Sequence, residues 1–309
     1  MMGLIKKIKE FGFKVVLICS LSRLMRILRF PKGLINRYVN WKNRYVSYWL
    51  WKSFKGSVVS EVPKTSDTDD GYVFVFWLQG EHEAPPIVKV CISSIRKWCF
   101  DRKVVVLDKN NYTHYATLPE SVVRKYEYGW VSPAHFSDVL RFELLREHGG
   151  IWIDATDFIS MPIPNYVFDY SFFSLNGAYS NDLGWKWTSW FMVAQKGDLL
   201  IENMCRFYEA YWEKYNSAVT YLFLDCWVLA LCNHIPSIKQ NIDALPDCNG
   251  MCYSIASNWN KLYSEEYYHH LISCFFVNKL TYKGSFPPIE QEGSLTIFGK
   301  LLKSTKYDY

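Results

Sequence analysis

Asp138 and Arg141 stand three residues apart in a segment patterned as a helix, and Asp154, Thr156 and Asp157 follow a short apolar run just downstream. Residues three apart share a helix face, so this carboxylate and guanidinium can project together. One accepts hydrogen bonds and the other donates a planar fork of them, a pairing suited to sugar hydroxyls and phosphate oxygens. Oxygens from Asp154, Thr156 and Asp157, completed by a diphosphate, would suit a hard cation such as Mg²⁺ or Mn²⁺. Spacing alone leaves a second reading open, in which Asp138 and Arg141 are a solvated helix pair and Asp154 caps a turn.

The elements that would position these groups can be read from pattern. Val139, Leu140, Phe142, Leu144 and Leu145 alternate with charge, which predicts a helix capped by Ser137 or Asp138 and ended by Gly149-Gly150. Ile151-Trp152-Ile153 is β-branched and aromatic, a short buried strand. The acidic cluster then falls at a strand's carboxyl end, where open α/β sheets bind ligands. Strand alternation puts Asp154 and Thr156 on one side and Asp157 on the other, unless the chain turns after Thr156. Further strands are expected at Tyr72 to Leu78, Lys103 to Leu107 and near Phe173 and Phe191. Helices are expected at Pro86 to Trp98, Leu199 to Tyr215 and Ala218 to Cys232. Alternating strand and helix predict an α/β fold with a mostly parallel sheet covered on both faces.

Within Ala218 to Cys232, AVTYLFLDCWVLALC, Asp225 is the only charge. A lone buried carboxylate costs several kcal/mol unless it is paired or shifts its pKa. It therefore fits either a buried hydrogen bond to backbone or indole, or a group aimed into a site.

The run SDVLRFELLREHGGIWIDAT resembles the sugar-binding DXD region of glycosyltransferase family 32. It is most similar to the bacterial capsular polysaccharide synthesis proteins, which often carry D-A-T there. The likeness extends from about Tyr72 to Lys283 and takes in FVFWLQGEHEAPPIVKVCISSIRKW, SWFMVAQKGDLLIENM and NKLTYK. It implies a GT-A fold, a Rossmann-like nucleotide-sugar-binding domain, and transfer from a nucleotide-sugar donor, UDP-linked by preference, with retention. By the same resemblance Trp77 stacks on the donor base, with Gln79 in the loop beside it. Asp138 and Arg141 hold ribose and sugar hydroxyls, Trp152 joins the donor contacts, and Asp154 is the first acid of the DXD. Thr156 departs from the pattern, since a second aspartate usually binds the metal. Asp157 can swing in, Thr156 can hold the cation, or Lys279 and Lys283 can neutralise the diphosphate without one. Asp225 would lie near the anomeric carbon or acceptor hydroxyl, with Asp154 the other catalytic acid.

The chain has 309 residues, half of them hydrophobic and 18% aromatic, enough for a large core and unlike a disordered or repeat protein. Its charge is uneven. Residues 1 to 60 hold thirteen Lys and Arg against Glu10 alone, leaving 22 basic and 29 acidic residues in the remainder. Leu4, Ile8, Phe11, Val15 and Ile18 recur at helical spacing among these cations, and Trp41, Tyr45, Tyr48, Trp49 and Trp51 follow. The longest uncharged run, Val15 to Ser22, is too short to span a bilayer. The pattern predicts a separate amphipathic module, residues 1 to 60, lying on an anionic membrane surface. Nucleic acid is not the expected partner, because the basic residues are interleaved with large apolar ones. The competing reading is an ordinary helical extension packed on the body. Residues 61 to 71 read as a linker and 72 to 309 as the catalytic domain.

Nine scattered cysteines suit a reducing compartment better than a disulfide framework, and Cys248 and Cys252 alone make a weak zinc signal. Together with the resemblance, these features lead us to expect a peripheral enzyme on the cytoplasmic face of a bacterial plasma membrane. It would add one sugar to a lipid-linked oligosaccharide. The alternative is a non-catalytic nucleotide-sugar-binding or membrane scaffold of the same fold.

Overall fold

The computed structural model describes residues 2–63, 71–178, 186–291 and 293–304. Most of the expected linker and the last residues of the expected catalytic domain lie outside the described residues. The chain opens with helices α1 (Met2–Phe11), α2 (Phe13–Ile27) and α3 (Lys32–Phe54). Next come β1 (Tyr72–Phe76), α4 (Pro86–Trp98), β2 (Lys103–Leu107), α5 (Glu120–Glu127) and α6 (Pro133–His148). Strands β3 (Gly150–Ile153), β4 (Asp157–Ile159), β5 (Phe172–Ser174) and β6 (Phe191–Ala194) follow, then α7 (Leu199–Lys214) and α8 (Phe223–His234). The chain continues through α9 (Pro236–Asp243), α10 (Glu265–Ser273), β7 (Val277–Lys279), β8 (Glu290–Gln291), β9 (Ser294–Leu295) and α11 (Ile297–Ser304).

The central sheet has the order β2-β1-β3-β6-β5. β1 pairs parallel with both β2 and β3, while β6 pairs antiparallel with β3 and β5, so only β6 runs against the others. This is a mixed α/β fold with a mostly parallel central sheet. Both sheet faces are buried, which accounts for continuous apolar strands such as Val73-Phe74-Val75-Phe76.

Local signals fix the helix that feeds the sheet. Ser132, and not Ser137 or Asp138, caps α6, accepting from His135 N with Pro133 in the first turn. The helix therefore starts a turn earlier than the charge pattern indicates, and Asp138 and Arg141 sit inside it. Gly149 ends it at φ 66°, and Gly150 follows at φ 89°. A Cβ on Gly150 would lie 2.5 Å from the Tyr72 carbonyl oxygen, so only glycine lets β3 close against β1. The second correction concerns α8, which begins at Phe223, so Asp225 occupies its first turn and not its middle.

The core is one apolar cluster that runs from the sheet into the N-terminal helices. Phe54 meets Phe207 edge-on at 5.4 Å, Phe207 stacks on Trp227 at 4.4 Å, and Trp51 stacks on Trp227 and, at 3.8 Å, on His234. Helices α1 to α3, which lie within the segment 1 to 60 read from sequence as a module of its own, share this core through Phe11, Val15, Val46, Leu50 and Phe54. The buried Lys125 ammonium donates to the carbonyls of Trp212, Glu213 and Tyr215, closing the C-terminus of α7 with a cation. Among the described residues no helix is long and apolar enough to cross a membrane.

Candidate functional site

β3 stops at Ile153, and Asp154 N still donates to Trp190 O, fixing Asp154 at the carboxyl end of the central strand. Asp157 N then donates to Asp154 O at 2.9 Å, a tight turn that reverses the chain into β4. The turn runs from Asp154 to Asp157 with Ala155 and Thr156 at its centre, and so brings Asp157 onto the side that strand alternation denied it. β4 pairs antiparallel with β7, setting Asp157 directly opposite Lys279. Lys279 Nζ consequently donates to Asp154 Oδ2 at 2.9 Å, Thr156 Oγ1 at 3.0 Å and Asp157 Oδ1 at 2.9 Å. Its charge also lies 5.2 Å from the centre of the Trp190 ring.

From the other side α6 delivers Arg141. Its guanidinium lies 3.2 Å from Asp138 Oδ1 and 3.6 Å from Asp154 Oδ1, donates to Ser189 O, and rests over the Trp152 ring at 5.0 Å. Trp152 Nε1 donates to Asp154 Oδ1 at 2.9 Å. Trp152 is itself buried and supports Asp154 from behind. Asp154 is thereby held by two cations and an indole.

Electrostatics follow from these contacts. Burial pushes the Asp154 carboxyl up, but Lys279 and Arg141 outweigh it and leave Asp154 below the ordinary carboxylate range. Asp157 is fully buried, and burial raises it to about 8 despite Lys279. Burial pulls Lys279 down, yet the two aspartates outweigh burial and hold it protonated. Asp138 is raised, again chiefly by burial. Asp225, partly exposed at the start of α8, is raised to about 7 by burial and by the charge of Asp138. Asp225 thus feels the opposing charges of Asp138 and Arg141.

The remaining expected residues sit at the rim. Trp77 directly follows β1, is half-buried, and meets Tyr282 edge-on at 4.9 Å. Gln79 is exposed in the turn that Gly80 N closes on Trp77 O. Lys283 is exposed, with its ammonium 5.2 Å from the Tyr282 ring centre, and does not join the Lys279 cluster. Sequence reasoning missed Trp190 and Tyr282, although both lie inside the motifs that carried the resemblance. Trp77 Nε1, Trp190 Nε1 and Asp157 Oδ2 are enclosed polar atoms without a protein partner.

A divalent cation held by Asp154, Thr156 and Asp157 would need the point that the Lys279 ammonium already occupies. Like charges at contact distance repel strongly in a partly dry site. The residues present therefore do not fit a metal while Lys279 holds them. Among the described residues no cluster of three or more His, Cys, Asp or Glu could hold a metal.

The chain is similar, at 34% identity over 101 residues, to the O-glycosyltransferase braB of Annulohypoxylon truncatum, a match spanning 30% of this chain and 24% of that enzyme. Superposed on the PaToxG glycosyltransferase, to which it is 16% identical, the chain gives a TM-score of 0.38, over 68% of this chain and 82% of the other. The sequence profile of the capsular polysaccharide synthesis proteins matches residues 28–301, which include β1, α6, β3 and β7 and hence Trp77, Asp138, Arg141, Asp154 and Lys279. With nearly the whole described chain inside that match, the protein belongs to the capsular polysaccharide synthesis protein family.

Proposed function

We propose that the protein is a retaining glycosyltransferase of GT-A type that moves a sugar from a nucleotide-sugar donor to a lipid-linked oligosaccharide. Family membership and the glycosyltransferase name of the braB relative support the reaction class. The observation that carries the residue assignment is the convergence of Asp138, Arg141, Asp154 and Lys279 beside β3, with the Trp77 ring at the neighbouring end of β1.

In this reading Trp77 covers the donor base and Asp138 takes a ribose or sugar hydroxyl. Lys279 supplies the positive charge that faces the diphosphate, in place of a metal. The leaving group departs as the bond from the anomeric carbon to the diphosphate oxygen breaks, so charge neutralisation there dominates the barrier. With Asp157 mostly protonated at neutral pH, Asp138, Arg141, Asp154 and Lys279 balance one another. An ionised Asp157 would make the cluster net negative and repel the diphosphate. The three protons of Lys279 are committed to Asp154, Thr156 and Asp157. The neutral Thr156 hydroxyl is the weakest of these acceptors, hence the one a phosphate oxygen displaces. Asp225 would face the anomeric carbon or the acceptor hydroxyl as that bond is exchanged.

The test is a thermal-shift and calorimetric screen of UDP, GDP, CMP and their sugars, with EDTA and with added Mn²⁺ or Mg²⁺. Stabilisation by one nucleotide that survives EDTA and is lost in Asp154→Asn, checked for folding by circular dichroism, is expected. Binding to none of them would favour a scaffold, and binding that EDTA abolishes would return the cation role to a metal.

A further inference from the structure

α2 is apolar on both sides. Val15, Ile18 and Met25 are buried, yet Phe13, Leu17, Leu21, Leu24 and Leu28 form a second stripe at i, i+4, i+8, i+11 and i+15 that faces outward. Phe13 is 65% exposed, and Ile27 beside the stripe is 67% exposed. α3 adds Leu34, Trp41 and Tyr48, exposed at seven-residue spacing along one of its faces. The two sets are joined by Lys14, whose ammonium lies 5.7 Å from the Tyr45 ring centre, and by Tyr45, which stacks on the exposed Trp41 at 5.9 Å.

The charge around this face has one sign. Lys14, Arg23, Arg26, Arg29, Lys32 and Arg37 are all exposed. Glu10, the only acid in residues 1 to 60, is turned inward, where its carboxylate accepts from Asn216 N and, at 2.6 Å, from Ser217 Oγ. Lys7 Nζ donates to Ala218 O at 3.1 Å in the same place. α1 is thus fastened to the segment that leads into α8 and Asp225.

We propose that the outer face of α2 and α3 docks on an anionic lipid bilayer and, through the bonds of α1 to residues 216–218, holds the Asp225 side of the site at the membrane surface. An apolar stripe bordered by Arg and Lys, with Trp and Tyr at its margin, suits the boundary between acyl chains and phosphate headgroups. The docking stands on its own; the consequence for the acceptor rests on the glycosyltransferase reading. An acceptor carried on a lipid would then enter from the bilayer past residues 216–221, where the exposed Tyr221 lies.

The experiment is flotation of the full chain with vesicles of phosphatidylglycerol and phosphatidylethanolamine, compared with phosphatidylcholine. The wild type should float only with the anionic vesicles. Leu17→Gln/Leu21→Gln/Leu24→Gln should stay at the bottom of the gradient with an unchanged melting temperature. Arg23→Gln/Arg26→Gln/Arg29→Gln should partition on the order of a hundredfold more weakly. Failure of the wild type to float, or flotation of the leucine variant equal to wild type, would overturn the proposal. So would a wild-type dimer that the leucine substitutions convert to monomer, since a second copy would then own the face. Donor binding measured on the leucine variant separates the two readings: it should be unaltered, and loss of donor binding by the wild type would sink the reaction while leaving the flotation result in place.

Discussion

Replacing Lys279 by Met keeps the side chain's bulk and removes its charge, with consequences for stability and for the donor. Asp157 is buried and at about 8 is mostly protonated at pH 7. At Asp157 the variant therefore loses hydrogen bonds at that pH more than it strands an ion, and ionised Asp154 keeps Arg141 as its cation, for a cost of about 1–3 kcal/mol. Asp157 has its folded pKa above its unfolded one, so folding retains a proton between about pH 4 and 8, and stability falls as pH rises through that window. Without Lys279 the pKa climbs further and the window extends upward. The gap between variant and wild type should widen above pH 8, by at most about 1.4 kcal/mol per pH unit.

Urea unfolding of both proteins at pH 7 and pH 9 measures this directly. For the donor, losing a charge-assisted bond worth about 1.5–3 kcal/mol predicts nucleotide-sugar affinity roughly ten- to 150-fold weaker by calorimetry. A gap that is the same at both pH values would refute the account of Asp157. Unchanged donor affinity would remove Lys279 from the site's chemistry.

Thr156→Asp restores the second acid of a DXD but makes the cluster net negative, so it should weaken donor binding in EDTA; an affinity equal to wild type would refute the charge balance. Asp225→Asn should leave donor binding intact and lower kcat by about a hundredfold or more. Because Asp225 is raised to about 7, wild-type activity should rise with pH through that value and the Asn variant should lose that limb. Gly150→Ala meets the Tyr72 carbonyl and a positive φ, and should cost about 2–4 kcal/mol in a denaturation curve. Lys125→Met uncaps α7 and should cost about 1–3 kcal/mol by the same measurement.

The local elements were legible because their signals are local. Pro85-Pro86 starts α4, Gly149-Gly150 ends α6, and β-branched runs mark β1 and β2. The start of α6 was misplaced because Ser132 caps it a turn before the apolar repeat becomes regular. Ala218 to Leu222 looked helical by apolar content, yet Val219 N and Ser217 O bond instead to the Tyr211 hydroxyl, holding the segment out of helix. Long-range pairing was not legible. Nothing local in residues 157–159 says that they will pair with residues 277–279, more than a hundred positions away.

That pairing decides how the acidic motif is to be understood. Read along the chain, D-A-T lacks a metal ligand. In three dimensions the oxygen set is complete, made of Asp154, Thr156 and Asp157, and a covalently tethered cation stands at its centre. A second aspartate at position 156 would bring a further ionised carboxylate against an ammonium that Asp154 already balances, so threonine is the residue that keeps the Lys279 arrangement near neutrality. A neutral cluster tolerates a diphosphate that a net negative one would repel. The departure at Thr156 and the presence of Lys279 are therefore one feature, and substitutions at the two positions should show a coupling free energy in a double-mutant cycle.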